Sequence, residues 1–150
     1  MQQTTDVPEG YILHPTGILK NIYEVEREIY RLTNIERARV GLHPLIWCDY
    51  LAEAARSHSD DLVANNIMGH IGSDGSTVLI RVQRTNSTMT YVGENVTTAV
   101  GGSAESALNS WMNSPGHKAN LLHAGYTHIG VGFSYVEGIG FRYTQKFGSN

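Results

Sequence analysis

Trp111-Met112-Asn113-Ser114-Pro115-Gly116-His117-Lys118-Ala119-Asn120-Leu121-Leu122 closes one helix and opens another. Ala104, Ala107, Leu108, Trp111 and Met112 recur at helical spacing, with Glu105 near the positive end, and Pro115 stops that helix. Ser114 followed by Pro115 reads as an N-cap with proline at the first helical position, so a short helix runs from Pro115 to about Leu122. His117 is its third residue. A helix N-terminus disfavours the imidazolium, so this ring stays neutral and able to ligate a metal.

Upstream, Ile22, Val25, Ile29, Leu32 and Ile35 mark one face of a long helix, punctuated by Gly41 and Pro44. A second helix follows from about Asp49 to Asn65 or Asn66, with Leu51, Ala55, His58 and Leu62 in one stripe. Gly69-His70-Ile71-Gly72-Ser73-Asp74-Gly75 is turn-rich and puts His70 on a loop. Thr77 to Val82 is rich enough in β-branched residues for a strand, but Ser76 can cap a short helix, which is the reading adopted. Tyr91 to Thr98 alternates as a strand, with Glu94 on the face of Val92 and Val96 and Asn95 on the other. Residues 129–135 and 141–147 alternate too, joined by Glu137-Gly138 as a hairpin. Helices flanking antiparallel strands, without internal repeats, make the class α+β. Residues 1–20, with Pro8 and Pro15, read as an extended N-terminal arm, and 21–150 as one domain.

Composition narrows the function. The chain has 150 residues, 41% hydrophobic and 17% charged, with 14 acids against 11 Lys plus Arg. Its size predicts a folded surface of about 7,500 Å² and a self-sufficient core. A formal charge of -3 offers no basic excess for a phosphate backbone, which argues against nucleic acid as partner. Cys48 is the only cysteine, so neither a disulfide framework nor a thiolate zinc site exists within one chain. It reads as a small buried hydrophobe. No apolar run is long enough for a transmembrane segment, and the start MQQTTDVPEG lacks the order of a signal peptide.

His70, Glu94 and His117 are the informative trio, because two imidazoles and one carboxylate form the ligand set of an open zinc site. Glu94 among valines either has a raised pKa, as a general acid or base requires, or is held by hydrogen bonds to the His70 loop. The plainer alternative is that Glu94 and Asn95 tie neighbouring loops together. His58, on an apolar helical stripe, reads as a core histidine satisfied by one hydrogen bond. Asn120 either orients His117 or caps a loop. Ser59 and Ser114 sit in no nucleophile elbow, so serine hydrolase chemistry is not expected.

Six stretches, in order and spacing, resemble the secreted cysteine-rich secretory, antigen 5 and pathogenesis-related (CAP) superfamily. They are Ala55-Arg56-Ser57-His58-Ser59-Asp60-Asp61-Leu62; His70 with Ser73-Asp74-Gly75; Gly93-Glu94-Asn95-Val96; Trp111 through Leu122; Ile129-Gly130-Val131-Gly132; and Tyr143-Thr144-Gln145-Lys146-Phe147-Gly148. The resemblance implies a three-layered α-β-α sandwich around a central antiparallel sheet, with a large cleft holding two histidines and two acids. His70, Glu94 and His117 match three of those positions. The fourth acid has no counterpart, since Asn113 and Ser114 occupy its neighbourhood. That absence, the lone cysteine and the WMNSPGH wording are similar to the bacterial branch, which implies a secreted or cell-envelope location.

The resemblance favours a binding module whose cleft takes zinc or another divalent cation weakly through His70 and His117, supported by Ser114, Asn95 and Asn120. Its partner would be a lipid, glycan or protein. The alternative is a metal-dependent hydrolase of peptide or cell-wall bonds, with Glu94 as general base and the two histidines holding the ion. On that alternative Glu94→Gln abolishes turnover while leaving fold and metal affinity nearly intact. A third reading is a structural domain with a vestigial cleft.

Overall fold

The computed structural model describes residues 6–150. Its 11 elements are β1 (Tyr11–Leu13), β2 (Leu19–Asn21), α1 (Ile22–Arg39), β3 (Ile46–Trp47), α2 (Asp49–Ala64), α3 (Val78–Gln83), β4 (Tyr91–Thr97), α4 (Ala104–Met112), α5 (Pro115–Leu121), β5 (His128–Val136) and β6 (Gly140–Ser149). The expected helices and the three long strands all form. The folded surface, 7807 Å², is close to that expected from size.

Four strands make the central sheet, in the order β3-β5-β6-β4. β4, β5 and β6 are antiparallel neighbours, but the two-residue β3 pairs parallel with β5, so the sheet is mixed rather than wholly antiparallel. Such a short strand carries no period that a sequence pattern can reveal. Alternation along β5 builds the layers. Ile129, Val131 and Phe133 enter a core with Ile29, Leu108, Trp111 and Leu121 from α1, α4 and α5. Gly130 and Gly132 face the other way, where the α2 backbone lies directly upon them. Thus α2 and α3 cover one face and α1, α4 and α5 the other, as the α-β-α expectation has it.

Two readings need correction. The expected extended arm of residues 1–20 contains a hairpin instead, pairing Tyr11 with Asn21 and Leu13 with Leu19; its first five residues lie outside those described. It is docked, with Ile12 in the core and His14 Nε2 and the Lys20 ammonium engaging the carbonyls of Gly101 and Gly102 at 3.0 and 2.7 Å. Order there comes from tertiary contact. The short helix α3 forms as expected, but Thr77 rather than Ser76 caps it, accepting from the Ile80 N–H.

At Gly116, in the first turn of α5, an added Cβ would meet nothing within 4 Å. Gly116→Ala is therefore expected to stabilise the domain by about 0.5–1 kcal/mol, since it restricts the unfolded chain at no steric cost. Urea denaturation of the two proteins measures this directly.

Candidate functional site

Glu94 sits at the middle of β4, 4% exposed, on the sheet face that α2 covers. Directly opposite on β6 is Lys146, itself fully buried, and its ammonium pairs with the Glu94 carboxylate. Arg81 of α3 donates from Nη2 to both Glu94 oxygens, at 3.2 and 3.0 Å. The same nitrogen donates to the His70 carbonyl at 2.9 Å, while Nη1 donates to the Ser76 carbonyl at 2.8 Å. One guanidinium therefore fastens the His70 loop to the strand.

This environment matches the second of the two Glu94 alternatives, a carboxylate held by hydrogen bonds. Burial pushes its pKa up, but the His70 hydrogen bond and the charges of Lys146, His58 and Arg81 prevail and lower it to about 2. A carboxylate so held is a hydrogen-bond acceptor fastened to the His70 loop, the second of the two alternatives, and its lowered pKa lends the general-base role no support. Burial lowers Lys146 to about 8 against the opposing pull of Glu94. His58 is the single-bonded core histidine expected, with Nε2 2.8 Å from the Gly69 carbonyl and Nδ1 without a partner among the described residues. Burial lowers its pKa. Ser59 is buried and bonds Thr144 and the Gly132 carbonyl, a structural role.

The two remaining histidines reach the β4 edge from opposite layers. His70 Nδ1 lies 2.9 Å from Glu94 Oε1, and its side chain is 49% exposed. His117 is the third residue of α5, and its Nδ1 lies 2.9 Å from the Ser114 hydroxyl. Ser114 thus occupies the N-cap position but serves the imidazole instead of a helix N–H. Burial, and then the neighbouring His70 ring, lower the His117 pKa, which favours the neutral form. Asn95 donates to the His117 carbonyl at 2.9 Å and to Gln145 at 3.1 Å. Asn120 donates to the Glu94 carbonyl and to Asn95 Oδ1, both at 3.2 Å. These two asparagines lash α5 to β4, so Asn120 is a backbone tie rather than a direct partner of the His117 ring.

The trio is not gathered as a three-ligand set. Among the described residues no three His, Cys, Asp or Glu side chains are arranged to hold an ion. Glu94 is consumed by Arg81, Lys146 and His70, which leaves two imidazoles, fewer protein ligands than a catalytic zinc usually has. A groove of about 600 Å³ does exist, but it lies between the β1–β2 hairpin and the β5–β6 turn, where Tyr11, His14 and Tyr135 line it. Sequence reading missed Arg81 and Lys146. Alternation puts Lys146 on the β6 face opposite Gln145 and Phe147, a pattern that by itself suits solvent and gave no signal of burial.

The cysteine-rich secretory protein (CAP) family model matches residues 30–147. The chain belongs to this family. It is 37% identical over 123 residues to the uncharacterized membrane protein YlbC of Bacillus subtilis, covering 81% of this CAP chain and 34% of YlbC. With the B. subtilis protein YkwD it shares 33% identity over 132 residues, covering 88% and 50% of the two chains. The chain therefore spans between a third and a half of these relatives. An extracellular protein with an SCP domain from Bacillus anthracis superposes with a TM-score of 0.79 at 35% identity, covering 93% of this chain and 45% of that one. An outer surface protein from Borrelia burgdorferi shares the CAP fold at 22% identity, with a TM-score of 0.75 and 83% and 91% coverage.

Proposed function

We propose that this CAP domain is a binding module acting outside the cell or at its envelope, and that His70 and His117 together take one divalent cation, such as zinc, weakly and exchangeably. The observation that carries the cation is the shared anchoring of both rings through Nδ1, to Glu94 and to Ser114. With Nδ1–H donated, each Nε2 is free to ligate, and a carboxylate or hydroxyl behind an imidazole orients it as metal sites require. Water completes such a shell, so the ion exchanges. The location is supported by the extracellular B. anthracis relative. No helix among the described residues is long and apolar enough to cross a membrane. Lipid, glycan and protein are the partner classes in view. The hydrolase reading has no support from Glu94, because both of its oxygens are held by buried cations.

Calorimetric titration of zinc into metal-stripped protein tests the cation site. One-to-one binding is expected, weakened at least about ten-fold in both His70→Ala and His117→Ala. Absence of binding by the wild type, or variants that bind as well as it does, would overturn the two-histidine site.

A further inference from the structure

β4 is an edge strand, and the hydrogen-bond parity of the sheet shows which of its groups point outward. The Gly148 carbonyl of β6 accepts from Thr127 on the β5 side, whereas the Ser149 carbonyl accepts from Thr90 on the β4 side. Odd residues of β6 therefore bond β4, so Tyr91, Gly93, Asn95 and Thr97 are the inward-bonding residues of β4. Val92, Glu94 and Val96 turn their main-chain groups to the free edge. Asn120 confirms this parity by donating to the Glu94 carbonyl, and α5 is fastened at the same level through Asn95 and the His117 carbonyl. The Val92 N–H and C=O and the Glu94 N–H have no hydrogen-bond partner among the described residues.

Natural sheets protect such edges with charges, proline or bulges. This stretch has none of them: Thr90-Tyr91-Val92-Gly93 is uncharged, and its pairing with β6 runs one-for-one from Tyr91–Ser149 to Thr97–Tyr143. The side chains beside it are apolar. Tyr91 is 50% exposed and forms an aromatic shelf with His123 and Tyr126, its hydroxyl 2.7 Å from His123 Nε2. On the other face Val92 packs against the buried cluster of Leu51, Ala54 and Val82, as Met89 and Cys48 also do.

We infer that the open rung of β4 at Val92 pairs with an extended polypeptide segment of another protein, laying it beside His70 and His117. This rests on the binding-module reading and names its partner class. The guest strand supplies main-chain hydrogen bonds to Val92 and Glu94, and its alternate residues meet the aromatic shelf and the Met89 side. Apolar residues at every second position suit both.

The test uses a synthetic peptide taken from a random-peptide phage selection on the whole chain, with amide hydrogen exchange followed by NMR. In the free protein the Val92 amide should exchange far faster than those of Gly93 and Asn95. Saturating peptide should slow the Val92 amide at least about ten-fold. N-methylation of alternate peptide nitrogens should abolish binding in one phase and spare it in the other, a readout that needs no protein variant. Val92→Pro should lose the peptide and keep zinc. Protection of Val92 in the free protein, peptide protection confined elsewhere, indifference to the phase of N-methylation, or failure to select any binder would each overturn the inference. Zinc binding without peptide pairing sinks this inference alone; peptide pairing without zinc binding sinks the cation site alone.

Discussion

Glu94→Gln is expected to cost about 3–5 kcal/mol of stability, because it strips the counter-charge from two buried cations. Arg81 is 5% exposed and Lys146 fully buried, and among the described residues Glu94 is the only carboxylate either one pairs with. The amide keeps the shape of the side chain but lacks its charge, so the loss is electrostatic. Urea unfolding followed by tryptophan fluorescence measures it. Adding Lys146→Met to Glu94→Gln should recover part of the loss, since one of the two stranded charges goes with it; a double variant no more stable than the single would overturn this account. The same cluster sets the acid limb of stability. His58 and His117 have folded pKa values below the usual 6.5, so the unfolded chain takes up protons first and stability falls as pH drops through that range. Glu94 deepens the loss as pH falls from its ordinary 4.5 towards about 2. Its stabilisation is present in full above 4.5.

Gly130→Ala is expected to be comparably damaging, for a reason of volume alone. A Cβ at Gly130 would lie 1.9 Å from the Ala52 nitrogen and 2.2 Å from the Leu51 carbonyl carbon. Both are backbone atoms of α2, which cannot rotate aside as a side chain does, so the helix must lift from the sheet. Ordinary overpacking costs about 1–3 kcal/mol, and this substitution should reach or exceed the upper figure. At this chain length that lowers Tm by roughly 6–12 °C, readable by calorimetry. Gly132→Ala, with α2 backbone at 2.4 Å, should behave alike, whereas Gly116→Ala should not.

Local pattern accounts for most of the fold. The heptad-like stripe of α1, the Ser114-Pro115 helix start and the alternation of β4, β5 and β6 are short-range signals, and each element formed where its period lay. The β1–β2 hairpin and β3 escaped because strands of three and two residues show no period and are held by docking on residues far along the chain.

For the site, the sequence by itself determined the chemistry on offer: a neutral imidazole at a helix start, a second on a glycine-rich loop, a carboxylate on an apolar strand face and a family likeness joining them. Only the tertiary structure decided what that carboxylate does. Lys146 alternates on β6 in a way that suits a solvent face, but α2 covers that face, and Arg81 arrives from a separate helix. Charges brought together across 52 and 13 residues of chain turned Glu94 from an expected ligand or base into the fixed acceptor that aims His70. Coulomb energy depends on distance in space, and a linear pattern carries no record of it.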